Sequence, residues 1–203
     1  MAERYHRIVE YRPGLDERPT SLFLVRHGEI EGAGEGRLMG HTDVPLTERG
    51  LWAMEALGKR IRGALEADGF AGPLRPEALY SSPLARCRES TKALGRTLFG
   101  KRSKPPQVIE AFKEISIGRW EGMLYQEVAR RFPKQLRRRL RDMVGVRPPG
   151  GESLLDLEAR VMPALEELLS RHRGEALLVV GHAAVNRLIL CRALGLGLSH
   201  FFR

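Results

Sequence analysis

Two unbroken apolar runs stand out, Leu-Phe-Leu-Val at 22–25 and Ala-Leu-Leu-Val-Val at 176–180, in a chain whose other apolar residues mostly recur at helical spacing. Runs of four or five apolar residues bounded by polar ones read as strands covered on both faces, as in a parallel sheet. Both runs end alike, the first on Arg26-His27-Gly28 and the second on Gly181-His182. A buried parallel strand that stops on an imidazole delivers it to the carboxyl edge of the sheet, where open α/β folds bind ligands. Gly28 lets backbone come close to whatever binds there.

Between these runs the pattern alternates. Glycines 32, 34 and 36 predict an exposed loop; Thr47 then caps a helix with Leu51, Met54, Leu57, Ile61 and Leu65 on one face, ending near Gly69. Residues 78–82 predict a short second strand. Ser82-Pro83 predicts the next helix start, with Ser82 as N-cap and Pro83 in the first turn. Arg86 then projects from that first turn, where the positive end of the helix adds to its charge. Residues 107–110 suit a third strand, and 113–122 an irregular loop carrying Glu114, Trp120 and Glu121. A helical stretch over 124–143 is interrupted at Pro133. After a turn at 148–151, Glu152-Ser153 opens a helix with Leu154, Leu157, Val161, Leu165 and Leu168 on its core face and Pro163 as a potential kink. A last helix covers 185–194. Residues 1–20, punctuated by Pro13-Gly14 and Pro19, predict an N-terminal extension ahead of a single domain over 21–203. Strands alternating with helices imply an α/β fold, a three-layer α/β/α sandwich around a mainly parallel sheet.

Composition narrows the setting. No apolar run approaches the roughly 18 residues of a membrane span, and residues 1–20 lack the apolar centre of a secretory signal. Cys87 and Cys191 lie in segments read as helical, without metal or redox spacing, which predicts a reduced, cytoplasmic protein. The formal charge of +9 draws anions to the surface. Much of the excess sits at 130–141, where Arg137, Arg138, Arg139 and Arg141 read as a solvated helix face. No aromatics interleave with these arginines, which argues against single-stranded nucleic acid as a partner.

Two histidines at the same end of two parallel strands can face each other across one crevice, and Arg26 and Arg86 reach the same edge. The group suits a phosphoryl oxyanion, clamped by forked hydrogen bonds from the arginines. A neutral imidazole is a nucleophile toward phosphorus, so attack by one histidine would form a phosphohistidine and divide hydrolysis into two steps. The departing alkoxide needs a proton, for which Glu114 is the best-placed donor if burial and the phosphate raise its pKa. A zinc site at His27, His41 and His182 is disfavoured: no histidines stand four apart, and the arginines would oppose the cation. Neither a Gly-x-x-x-x-Gly-Lys-Ser/Thr loop nor a Gly-x-Ser-x-Gly elbow is present.

In its motifs the chain resembles the histidine phosphatase superfamily, the phosphoglycerate mutase-like proteins. They are Leu-Val-Arg-His-Gly-Glu at 24–29, the stretch 36–47 with Gly50, Tyr-Ser-Ser-Pro-Leu-Ala-Arg-Cys-Arg-Glu-Ser-Thr at 80–91, Glu-Ile-Ser-Ile-Gly-Arg-Trp-Glu-Gly at 114–122, Pro-Gly-Gly-Glu-Ser at 149–153 and Val-Val-Gly-His at 179–182. The resemblance implies that His27 is the nucleophile, that Arg26, Arg86 and His182 hold the phosphate, and that Glu114 is the proton donor. It also implies phosphate or substrate contacts at Gly28, at Arg37 and at the Ala183 N–H, with no metal or other cofactor. Two positions depart from the family pattern: Ile30 stands where Ser or Thr is common, and Ala33 where Asn is common. Relatives also commonly continue past the position of Arg203 into a further strand, which would leave this sheet incomplete.

A mutase of this family must keep its phosphohistidine dry under a closed lid. The segment over 114–148 is short and arginine-rich, where mutases usually carry a longer insertion. Hydrolysis of a small phosphorylated metabolite is therefore expected, in the branch of α-ribazole phosphatases, fructose-2,6-bisphosphatase-like enzymes and broad-specificity phosphatases. Phosphoglycerate mutase is the alternative activity, and a non-catalytic phosphate- or nucleic-acid-binding module the alternative of another class. A membrane partner is not expected; a homodimer is compatible with the sequence.

Overall fold

Both long apolar runs form parallel strands and lie side by side. The computed structural model describes residues 19–66 and 74–202. Within them β1 (Ser21–Arg26), β2 (Leu74–Ser81), β3 (Gln107–Val108) and β4 (Ala176–Gly181) form one sheet in the order β1-β4-β2-β3, every pair parallel. The helices are α1 (Glu48–Glu66), α2 (Ala85–Phe99), α3 (Tyr125–Arg131), α4 (Pro133–Arg141), α5 (Leu154–Arg171) and α6 (Ala183–Ala193).

Strand alternation divides the core into two halves. Leu177 and Val179 of β4 pack with Leu157, Val161, Leu165 and Leu188 from α5 and α6. Leu178 and Val180, pointing the other way, pack with Met54, Ile61, Cys87 and Leu94 from α1 and α2. This is the expected three-layer sandwich, and each fully buried leucine or valine contributes about 1.5–3 kcal/mol to holding it. A smaller cluster of Trp120, Val128 and Leu136 fastens α3 and α4 beside the carboxyl edge of the sheet. Pro133 divides the helical stretch as anticipated, standing at the first position of α4.

Several details differ from the sequence reading. The first apolar run is half-buried rather than covered on both faces, because β1 is an edge strand among the described residues; β4 is central and buried throughout. Strand β2 begins at Leu74, earlier than expected, and its ladder with β4 shifts register between Leu74 and Leu79. The third strand is shorter than predicted, giving way to a 3-10 turn at Glu110–Phe112. Helix α2 is not capped by Ser82: its N-cap is Leu84, and the Ala85 N–H donates to Asp43 Oδ1 at 2.7 Å, a carboxylate from the loop before α1. In the arginine-rich segment Arg139 is buried, donating to the Val146 carbonyl, while Arg137, Arg138 and Arg141 are exposed.

Other helix starts follow the sequence. The Gly50 N–H donates to Thr47 Oγ1 at 2.9 Å, and Ser153 forms a capping box with Asp156. Helix α5 carries Pro163 in its interior and continues to Arg171. The end expected near Gly69, and the extension up to residue 18, lie outside the described residues. Thr20 is tied to the turn before β4, its hydroxyl donating to the His172 carbonyl at 3.0 Å and accepting from the Gly174 N–H at 3.1 Å. No helix among the described residues is long and apolar enough to cross a membrane.

Register then positions the chemistry. Arg26 of β1 pairs with Gly181 of β4, and the His27 N–H donates to the Gly181 carbonyl at 3.1 Å. His27 and His182 are therefore the first residues off two adjacent strands, at one edge.

Candidate active site

The two imidazoles meet. Their ring centroids are 5.3 Å apart with an interplanar angle of 62°. His27 Nδ1 lies 2.8 Å from the Gly28 carbonyl oxygen. A carbonyl only accepts, so Nδ1 carries the proton and Nε2 keeps its lone pair. Burial pushes the His27 pKa down to about 4, against the hydrogen bond to Gly28 and with help from the charges of Arg86 and Arg26. His182 is lowered to about 2, by burial first and then by Arg86. Its Nε2 lies 2.7 Å from Ser82 Oγ, and that is where the hydroxyl assigned to a helix cap goes. Cys87 packs beneath, its Sγ 3.3 Å from the Gly181 carbonyl and 3.4 Å from His182 Nε2. Burial pushes the Cys87 thiol up to about 12, so it stays neutral.

Arg86 is almost wholly buried, at 1% exposure. Its Nη1 donates to the Thr42 carbonyl and its Nη2 to the Gly40 carbonyl, each at 2.7 Å, while Nε has no partner. An unsatisfied donor in a buried guanidinium is costly, and a bound anion would satisfy it. Arg26 is exposed beside His27 and lines the same cavity of about 350 Å³, together with Ile30, Ala33 and Arg37.

Glu114 faces this group from the loop after β3. It is 8% exposed; Oε1 accepts from the Ile115 N–H at 2.8 Å and Oε2 from the Ala184 N–H at 3.4 Å. Burial raises its pKa, opposed by those two N–H groups and by the charges of Arg86 and Arg26. A neutral imidazole with an open Nε2, a buried guanidinium and a carboxyl poised to hold a proton are the parts needed for phosphoryl transfer through nitrogen.

The family model described as histidine phosphatase superfamily (branch 1) matches residues 22–203. The chain belongs to this family. It is 33% identical over 181 residues to the metal-independent phosphoserine phosphatase of Arabidopsis thaliana, covering 88% of this chain and 70% of that protein. It is 33% identical over 183 residues to phosphoserine phosphatase 1 of Hydrogenobacter thermophilus, covering 90% of this chain and 80% of that one. Among solved structures, Bacillus stearothermophilus YhfR superposes with a TM-score of 0.72 at 31% identity, covering 90% of this chain and 84% of that one.

Within this histidine phosphatase the other residues singled out in the sequence fall in different places. Gly28 lines the cavity with His27; a Cβ there would meet the Gly50 carbonyl oxygen at 2.7 Å, and its N–H donates to Ser90 Oγ at 3.0 Å. Arg37 lines the cavity, but its Nε is paired with Glu35 at 2.7 Å and its Nη1 donates to the Gly122 carbonyl at 2.9 Å. Ala183 opens α6, so its N–H lies in the first turn, where orphan donors point outward. Ile30 is buried and bridges Leu46. His41 turns its Nε2 to the Glu114 carbonyl at 2.7 Å rather than toward the other two histidines. Among the described residues no cluster of three or more His, Cys, Asp or Glu could hold a metal ion.

Two supports escaped the sequence reading. Arg160 Nη1 donates to the Ala111 and Lys113 carbonyls, its Nη2 to the Glu114 carbonyl at 3.0 Å, and it pairs with Glu152, whose Oε2 also accepts from the Ser116 N–H. Both ends of the acid loop are thus pinned. Glu121 accepts from the Gly40, His41 and Thr42 N–H groups and from Thr42 Oγ1, at 2.7–3.3 Å. Burial pushes its pKa up, but the hydrogen bonds from Thr42, His41 and Gly40 outweigh it and hold the carboxyl below its ordinary range. These contacts position the carbonyls that grip Arg86. Glu121 and Glu152 both stand inside motifs already quoted, which was the available signal.

Replacing Glu121 by alanine strips three backbone donors of their acceptor; the part-buried Gly40 and His41 N–H groups bear a penalty of up to about 1–3 kcal/mol each, while the exposed Thr42 N–H turns to water. The expected result is a KM about tenfold higher with kcat changed less than about threefold, because Arg86 loses its bearing on the phosphate while the nucleophile and acid stay. Steady-state kinetics on one phosphomonoester checks it.

Proposed function

We propose that this protein is a metal-independent phosphomonoester hydrolase that works through a phosphohistidine at His27, as one domain over 21–203. The observation that carries the reading is the pair of desolvated, neutral imidazoles sharing one crevice with the buried, incompletely bonded guanidinium of Arg86. Named phosphatases among its relatives support hydrolysis as the reaction class.

In the first step His27 Nε2 attacks phosphorus, the bond to the ester oxygen breaks, and Glu114 gives its proton to that oxygen. Arg26 and Arg86 hold the non-bridging oxygens, His182, whose Nε2 is taken up by Ser82 Oγ, contributes through Nδ1, and the Ala183 N–H adds a further donor. In the second step water attacks the phosphohistidine and gives its proton to Glu114. The P–N bond breaks, the electron pair returns to Nε2, and inorganic phosphate leaves. Neutrality of His27 matters in both directions: its lone pair is free to attack, and nitrogen departs with a proton held only at Nδ1.

The substrate is a small phosphorylated metabolite. α-Ribazole phosphate and sugar phosphates follow from the family branch, and the names of the relatives add phosphoserine. Incubation with these esters, with 3-phosphoglycerate and with a chelator present separates the possibilities. Free phosphate is expected to exceed transferred phosphoryl group by at least about tenfold. Efficient interconversion of 3- and 2-phosphoglycerate would reassign the chain as a mutase. Salt-sensitive nucleic-acid binding without turnover would make it a binding module.

A further inference from the structure

Glu114, the proton donor assigned above, also lines a second cavity of about 310 Å³, and Ala183, the residue after His182, lines it as well. That volume lies at the lower end of the range for small-molecule sites. Its walls are apolar: Leu38, Ile117, Leu136, Leu140, Met143 and Phe202 contribute. The Trp120 indole also lines it, buried to 4% exposure with Nε1 unpartnered. Its polar borders are Glu114, Tyr125, Arg139, whose Nη1 donates to the Val146 carbonyl, and Arg187, whose guanidinium lies over Phe201 and Phe202 at 5.4 and 5.9 Å from their ring centroids.

A group that donates a proton to the ester oxygen must touch the first atom of the leaving alcohol, so the remainder of that alcohol continues into whatever space adjoins the acid. Here that space is apolar. A sugar would bring several hydroxyls, and serine an ammonium and a carboxylate, to walls that are mostly hydrocarbon, with polar groups only at the border. Each unpaired polar group buried there is penalised. An aromatic ring meets no such penalty, packs against leucine, methionine and phenylalanine side chains, and can offer a π-face or one acceptor to Trp120 Nε1. We propose that this cavity receives the leaving group and selects phosphomonoesters of apolar, aromatic-bearing alcohols. The proposal rests on the phosphatase reading and adds the substrate class.

The test compares kcat/KM for 2-phenylethyl phosphate, ethyl phosphate and O-phosphoserine. The first two leaving alcohols have similar acidity, so intrinsic reactivity does not decide between them. The expected preference for 2-phenylethyl over ethyl phosphate is on the order of 100-fold, from the apolar contacts of a whole ring, with phosphoserine also a poorer substrate than the aromatic ester. Leu140 and Phe202 are each 55% exposed, so glutamine replaces them without opening the core. Leu140→Gln and Phe202→Gln together should lower 2-phenylethyl turnover about tenfold and change ethyl phosphate turnover less than about twofold, with an unchanged melting temperature. Equal kcat/KM for the two alkyl esters, a preference for phosphoserine, or indifference to the double variant overturns the proposal and leaves the phosphatase reading standing. No phosphate from any ester overturns both.

Discussion

His27→Ala is expected to lower phosphate release by at least about 10⁴-fold, the scale seen when a covalent nucleophile is removed from a preorganised site. The reasoning is local. Nδ1 is used up on the Gly28 carbonyl, which leaves Nε2 as the one ring atom able to attack. The neighbouring imidazole is no substitute, because His182 Nε2 is engaged by Ser82 Oγ and the residue is fully buried. What survives is the electrostatic grip of Arg26 and Arg86, which still binds phosphate and should leave KM within about tenfold of its original value. The side chain is only partly buried and crosses no hydrophobic cluster, so the melting temperature should hold. Two measurements check this: steady-state turnover, and an alkaline quench of the wild type, which should trap phosphate on the protein that the variant never carries. Turnover that persists in His27→Ala would remove the phosphohistidine from the mechanism.

What could be read from the sequence is whatever depends on one segment at a time. Each apolar run is a strand on its own composition, and each ends on a histidine, so the meeting of His27 and His182 follows once the strands are parallel neighbours. Thr47 and Ser153 cap their helices through residues three positions on. What was not legible depends on segments far apart in the chain. Ser82 has the sequence signature of a cap, yet Asp43 supplies the cap and Ser82 is drawn to a histidine 100 positions away. Gly28 lines the cavity beside His27 as expected, but the need for glycine there also comes from Gly50, 22 positions on, whose carbonyl oxygen a Cβ would meet at 2.7 Å. Glu121 and Arg160 act on loops 79–81 and 46–49 positions from themselves, and no local periodicity encodes such distances. The cavity beside Glu114 draws its walls from several separate segments, among them the loop after Glu114, the stretch 136–143 in and just after α4, the start of α6 and Phe201–Phe202. Motif resemblance therefore named residues that do gather at one edge of the sheet, while the lining of this cavity lay outside its reach.

Those supports also explain why Arg86 can be both rigid and available. Two of its nitrogens are satisfied by carbonyls on a loop that Glu121 holds, and the third is left without a partner. A guanidinium fixed in this way loses little further freedom when an anion arrives, so more of the contact appears as binding. Burial first, and the Arg86 charge in addition, keep both histidines unprotonated, which ties the anion site to the nucleophile's reactivity.

Glu114→Gln is the sharpest test of the acid. The amide keeps an oxygen to accept from the Ile115 N–H but has no proton to give, and alkyl phosphate hydrolysis is expected to fall about 10²–10⁴-fold. p-Nitrophenyl phosphate, whose leaving group departs without protonation, should lose far less. The pH profile carries a second signature. His27 works as the neutral ring and its pKa is lowered to about 4, so kcat/KM rises as pH climbs through that value. Glu114 works as the acid and burial raises its pKa, so activity falls as pH passes a point above the ordinary carboxylate range. The variant should retain the rising limb and lose the falling one. Equal losses on alkyl and aryl esters, or a falling limb that survives the substitution, would mean that another group protonates the leaving oxygen and that the carboxyl only shapes the loop.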